Sequence, residues 1–126
     1  MQIILDTNAL VYAAKNKLDL VQTLKEKFGL LAIYIPNLVI EELKILANTA
    51  DKASDRAAAS LALKIINQKK IKEIQLSGET DKAIADYAIK HQSGVLTNDL
   101  KLKYLLKSGH VKVYVMRQGN HIEEWN

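Results

Sequence analysis

The chain alternates short apolar runs with longer stretches of helical periodicity. Ile3-Ile4-Leu5 reads as a buried strand, followed by helical segments over Ala9–Ala14 and Asp19–Phe28, with Gly29 as a stop. Ala32–Ile35 is a second strand closed by Pro36, and Asn37 caps a helix running to about Asn48. A polar stretch over Asn48–Ser54 leads into an alanine-rich helix over Asp55–Gln68. Ile71–Leu76 reads as a third strand, Ser77-Gly78-Glu79 as a turn, and Thr80–His91 as a helix ended by Ser93-Gly94. Val95-Leu96-Thr97 makes a short fourth strand, Asp99–Lys107 a lysine-rich helix ended by Gly109, and Val111–Met116 a fifth strand. Arg117–Asn126 is expected to be a polar tail. Strands alternating with helices imply right-handed crossovers and a parallel sheet covered on both faces, a three-layer α/β/α sandwich. No repeat, low-complexity run or linker interrupts the pattern, which predicts one domain over residues 1–126. Ligands of such sheets bind beyond the carboxyl ends of the strands, so the residues just after each strand are where chemistry is to be sought.

Acids occupy those places. Asp6 directly follows the first strand and Asp99 follows the fourth; each, taken singly, also suits a helix N-cap. Glu42 resists so simple a reading. Advancing 100° per residue from Asn37 puts Leu38, Val39, Ile40, Leu43, Ile45, Leu46 and Ala47 on one apolar arc, and Glu42 falls between Leu38 and Leu46 while Glu41 points to solvent. A carboxylate facing a core costs several kcal/mol unless it is paired, neutralised or metal-bound. The alternative is that the edge of the arc reaches a cleft or a partner lysine. Asp81 lies on the side of Ile84, Ala85 and Ala88, where it serves either function or the favourable first turn of its helix. Asp86 lies between Lys82 and Lys90 and is assigned to the surface.

Four separate caps would have no reason to converge on one end of one sheet. Like charges gathered there repel and require a counter-cation. Oxygen donors without histidine or cysteine favour a hard cation, Mg²⁺ or Mn²⁺, and phosphodiester hydrolysis is the natural chemistry of such a site.

Leu5-Asp6-Thr7-Asn8, Val39-Ile40-Glu41-Glu42-Leu43, the segment Asp81–Ala88, and Leu96-Thr97-Asn98-Asp99 resemble, in order and spacing, the PIN-domain nucleases. The likeness runs over essentially the whole chain. It implies a five-stranded parallel sheet of order 3-2-1-4-5, in which Asp6 and Asp99 sit side by side. It further implies that Asp6, Glu42, Asp81 and Asp99 bind one or two Mg²⁺ or Mn²⁺ ions and cleave single-stranded RNA. Thr7, Asn8, Thr97 and Asn98 become polar supports around them. The segment Ser54–Leu63 and the ending Val113–Gln118 look more like the archaeal and eukaryotic ribosome-biogenesis branch than the toxin branch. The partners so implied are RNA, a second copy of the chain through its alanine-rich helix, and an antitoxin or a ribosome-assembly protein.

Composition adds limits. With no cysteine among 126 residues, disulfide-stapled modules, cysteine-ligated zinc folds and thiol nucleophiles are excluded. No apolar run approaches the roughly 20 residues of a membrane span, and the N-terminal segment reads as a strand, so no membrane partner and a cytoplasmic location are expected. The formal charge of +4 favours an anionic partner without requiring one. Lys52, Arg56 and Lys101 are the expected phosphate contacts, with Lys15, Lys17, Lys103 and Lys107 equally well explained as solvated helix faces. His91, His110 and His121 lack ligand spacing and are assigned to the surface. Few aromatics are available for an RRM-like stacking platform, and Trp125 reads as packing. A phosphotransfer receiver fails for want of an acceptor Asp after the third strand, and covalent-aspartate phosphatases fail because Asn8 stands where a second Asp is needed. A non-catalytic RNA-binding or interaction module on the same fold remains as the rival function.

Overall fold

Ile3, Ile4 and Leu5 are fully buried, although neighbouring strand residues point to opposite faces. Their strand, β1 (Gln2–Leu5), is therefore covered on both sides, as a central parallel strand must be. The computed structural model describes residues 1–69, 71–118 and 121–125. After β1 come α1 (Thr7–Lys15), α2 (Leu20–Phe28), β2 (Ala32–Pro36), α3 (Asn37–Thr49), α4 (Ala53–Lys69) and β3 (Lys72–Ile74). The chain continues through α5 (Thr80–His91), β4 (Gly94–Leu96), α6 (Leu100–Lys107), β5 (Val113–Arg117) and β6 (His121–Glu124).

The sheet runs β3-β2-β1-β4-β5-β6. Its first five strands are parallel and follow the order implied by the resemblance. The sixth, β6, is antiparallel to β5 and corrects the expected five-stranded sheet. It arises inside the expected polar tail, where Ile122 is buried against the core while His121 and Glu124 face solvent. One apolar residue among charged ones gives almost no periodic signal, but β5 offers a free edge that supplies backbone partners. Gly119, Asn120 and Asn126 of that tail lie outside the described residues.

Helices α1, α3 and α4 pack together, and α5 packs with α6. The buried stripe of α4 is Ala58, Ala59, Ala62 and Ile66, small residues that let it lie close against α1 and α3. Three other local expectations change. Asn37 is not a cap: Pro36 holds that position, and the Asn37 side chain instead accepts from the Leu76 amide at 2.7 Å, tying α3 to the segment after β3. Ile45 is 61% exposed, because it stands at the rim of the apolar arc beside Glu41. Helix α5 ends on Gln92 in the left-handed conformation, leaving Gly94 free to start β4.

Gly109 follows α6 and lies against Ile89 of α5. A Cβ there would clash with Ile89 Cγ1 and stand 2.6 Å from its Cδ1. Gly109→Ala should therefore destabilise the fold by about 1–3 kcal/mol, the usual scale of overpacking. Urea denaturation should show part of that loss recovered when Ile89→Ala is added, since the second change opens the space the first one fills.

Candidate active site

The register of the sheet builds the site. Leu5 is paired with Leu96, so the next residues, Asp6 and Thr97, emerge side by side between β1 and β4, where the strand order reverses. The Asp6 amide donates to the Leu96 carbonyl at 3.2 Å and continues the ladder one step. Asp6 occupies the N-cap position of α1 but makes no side-chain cap bond. Its Oδ2 instead accepts from the Thr97 hydroxyl at 2.7 Å. Both side chains are buried.

Thr97 also binds the next acid in place. Its Oγ1 accepts from the Asp99 amide at 3.0 Å while its proton goes to Asp6. Asp99 caps α6, its Oδ1 accepting from the Lys101 amide at 3.0 Å, so its cap role and its place in the cleft coexist. Asn8 accepts from the Asn98 amide at 3.1 Å. The Asn98 side chain pairs with the Met116 backbone in both directions, at 3.1 and 2.8 Å, extending β4–β5 pairing past the end of the strand. Thr7, Asn8, Thr97 and Asn98 thus brace the loops that carry the acids.

Glu42 reaches the same cleft from α3. Its two oxygens accept from the hydroxyls of Thr7 at 2.5 Å and Thr80 at 2.8 Å. These bonds tie three helices, α1, α3 and α5, to one carboxylate. Asp81 enters from the first turn of α5. The cleft encloses about 430 Å³ and is lined by Asp6, Glu42, Asp81 and Asp99, with Val11 and Leu46 as apolar walls. Burial lifts Asp6 from 3.8 to about 6; the Thr97 hydroxyl and the Thr7 amide pull against that rise, and the charges of Asp81 and Asp99 add to it. Asp81 is raised by burial first and by Asp99 and Glu79 next. The acids therefore sense one another's charge. Among the described residues, no three His, Asp or Glu side chains already enclose a single ion position.

Two contributors escaped the sequence reading. Asp55 lines the cleft and pairs with Lys15, which holds it below the ordinary carboxylate range. Asp55 heads the same stripe as Ala58, Ala59 and Ala62, and an acid on a buried stripe is the signal that marked Glu42. Thr80, in turn, enters the sequence reading only as the first residue of its helix. The basic residues divide. Lys101 pairs with Glu79 at 3.0 Å and lies within electrostatic reach of Asp81 and Asp99. Lys52 is exposed, near enough to Asp55 to act on its charge. Arg56 donates to the Ala50 and Asp51 carbonyls at 2.6 and 3.1 Å, closing the loop between α3 and α4. Lys103 is buried with its ammonium over the Trp125 ring, so it is not a solvated face.

Comparison with known proteins gives a consistent result. A ribonuclease, VapC9 of Archaeoglobus fulgidus, is 29% identical over 119 residues, covering 94% of this chain and 85% of the relative. The solved PIN domain endonuclease Utp24 superposes with a TM-score of 0.79 at 21% identity, covering 98% of this chain and 90% of that one. VapBC2 of Rickettsia felis, solved bound to a DNA fragment from its promoter, matches with a TM-score of 0.63 at 20% identity over 91% of this chain and 98% of that one. A domain of a functionally unknown protein from Methanocaldococcus jannaschii gives 0.64 at 20% identity, over 99% of this chain and 97% of that one. These structural likenesses establish the fold. The family model described as a PIN like domain matches residues 3–119, nearly the whole chain, and this protein belongs to the PIN-like domain family.

Proposed function

We propose that the chain is a divalent-metal-dependent endoribonuclease acting on single-stranded RNA. The observation that carries this reading is the convergence of Asp6, Glu42, Asp81 and Asp99 on one cleft at the switch point of the sheet. The family and the ribonuclease relative support it. An oxygen-only donor set suits Mg²⁺ or Mn²⁺. Mg²⁺ keeps several of its waters and takes only one or two carboxylates, so a set of acids not yet closed around one point still fits it. Asp6, Asp81, Asp99 and Glu42 would hold one or two such ions. When bound, the metal supplies an activated water and charge stabilisation at the leaving oxygen.

The protein's own part is orientation. Thr97 fixes Asp6 and Asp99 relative to each other, and Thr7 with Thr80 fixes both oxygens of Glu42. Val11 and Leu46 exclude water from one side of the cleft. Lys101, at the mouth, and Lys52, near Asp55, offer charge to the phosphates flanking the scissile bond; Arg56, already engaged with two carbonyls, contributes by holding the loop that presents Lys52. No helix among the described residues is long and apolar enough to cross a membrane.

The toxin branch is a specific second reading, favoured by identity to VapC9 over 94% of the chain. It would add an antitoxin as partner. The likeness of Ser54–Leu63 and Val113–Gln118 to the ribosome-biogenesis branch favours RNA processing instead, with a ribosome-assembly partner. Growth arrest on induced expression, abolished by Asp6→Asn, would decide for the toxin; normal growth would decide against it.

Three outcomes test the site. Asp6→Asn should abolish cleavage of labelled single-stranded RNA and, in chelator at neutral pH, should melt higher than wild type by about 1–3 kcal/mol equivalent. The sign follows from its proton affinity: because the folded state raises Asp6 from 3.8 to about 6, the stability of the protonated form is full at low pH and is lost as pH rises through that window. The advantage of the Asn variant should accordingly be absent near pH 4 and complete above pH 6, whereas Mg²⁺ or Mn²⁺ should stabilise wild type more than the variant. An Asp6→Asn protein that still cleaves RNA would make Asp6 structural.

Thr97→Val preserves shape while removing the donor to Asp6 and the acceptor for the Asp99 amide. It should cost about 1–3 kcal/mol of stability and lower kcat more than it raises KM, both measurable on one preparation. Lys101→Ala should leave kcat near wild type and flatten the log–log salt dependence of RNA binding by about 0.7, the value of one phosphate contact on a single strand.

A further inference from the structure

We propose that the outer face of α6 is a second contact surface for the nucleic acid, where the Tyr104 ring, braced by Trp125 and flanked by Lys103 and Lys107, stacks one unpaired base of a strand whose neighbouring segment lies in the cleft. This rests on the endoribonuclease reading for the identity of the strand. The face itself is defined independently of the acids.

Trp125 is fixed in place by its amide, which donates to the Val113 carbonyl at 2.8 Å and sets the indole beside the start of β5. Tyr104 meets it at a ring separation of 5.6 Å and an interplanar angle of 89°. A perpendicular pair covers at most one face of the tyrosine, and at 58% exposure the rest of Tyr104 stands in water. The Lys103 and Lys107 ammonium groups lie 5.2 and 5.9 Å from the Trp125 ring centre. Cation–π attraction thus holds two charges next to an open aromatic ring. Packing accounts for a half-buried tryptophan and the buried Lys103 stem, but it does not require a solvated tyrosine against the same indole.

Charge selects the occupant. Helix α6 contains three lysines and no acid. Of the acids on the flanking segments, Glu79 is paired with Lys101 at 3.0 Å and Glu124 with Lys112 at 3.8 Å, while Asp81 and Asp99 line the cleft. An aromatic ring among fixed positive charges is the arrangement that single-stranded nucleic acid recognises, through phosphates and base faces together. Position agrees. Asp99, in the cleft, immediately precedes α6, and five residues of helix carry the chain about 7–8 Å from it to Tyr104. Lys101 lies between them in the chain, within electrostatic reach of Asp81 and Asp99.

The chain contains one tryptophan, so its emission reports on this face alone. Wild-type protein in chelator should be titrated with a single-stranded RNA of about twelve nucleotides, and with an abasic sugar–phosphate strand of equal length. RNA should change Trp125 emission, and the abasic strand should bind more weakly. Tyr104→Ala should weaken RNA binding about fivefold or more and raise KM at unchanged kcat, while Tyr104→Phe, which keeps the ring, should restore both. Unmoved emission together with wild-type affinity in Tyr104→Ala would overturn the proposal and leave the face to a protein partner. The two readings separate cleanly. RNA bound through Tyr104 but never cleaved in Mg²⁺ or Mn²⁺ would sink the nuclease reading alone, and cleavage indifferent to Tyr104→Ala would sink this one alone.

Discussion

The Thr97 hydroxyl sits at the meeting point of the two central strands, with no solvent contact, and it does two things at once. Its proton goes to Asp6 and its oxygen receives the Asp99 amide. A carboxylate at the end of a fully buried strand is costly, and here one short hydrogen bond offsets part of that cost while a second sets the turn into α6. Much else is arranged around this point. β1 and β4 must be adjacent for the bond to form, and Asn8 and Asn98 then lock the loops that leave them. Glu42 repeats the solution on a larger scale, drawing hydroxyls from two other helices. The residues around the acids are thus chiefly donors that hold charge in place.

The parallel strands and the acids that follow them were legible because their signals are local and redundant, whereas the strand order came from the resemblance to the PIN-domain nucleases. Ile3-Ile4-Leu5 and Val95-Leu96 are apolar runs bounded by polar residues, and Glu42 breaks a helical period that its neighbours keep. The remainder depended on contacts made across the fold. β6 forms because β5 presents a free edge, not because its own sequence prefers strand. Arg56 shows the same limit from the other direction. Its charge suggests a phosphate partner, yet the loop between α3 and α4 leaves two carbonyls that a guanidinium fork satisfies. Asp55 needed only the reasoning already applied to Glu42, extended to the first turn of the next helix, whereas Thr80 carries no such signal and is found only through its bond to Glu42.

Lysines illustrate how the fold sorts one residue type into different roles. Lys15 is drawn to Asp55 and Lys101 to Glu79, each paired beside the cleft. Lys103, the fourth residue of the helix that Asp99 caps, lays its stem on the core and its ammonium over an indole. Composition counts these charges equally, although the field around the cleft depends on where each one is anchored.

The sixth strand has a consequence for how the molecule meets others. It takes up the edge of β5, a five-residue strand of which four are buried, and puts in its place a four-residue strand carrying Glu123 and Glu124. The opposite edge is β3, three residues long, with Lys72 and Glu73 exposed. Both margins of the sheet are therefore short and charged, which is how soluble sheets avoid growing by strand addition. Self-association through the backbone is discouraged at either end, and a macromolecule engaging this protein must do so through side chains, on a helix face or in the acidic cleft.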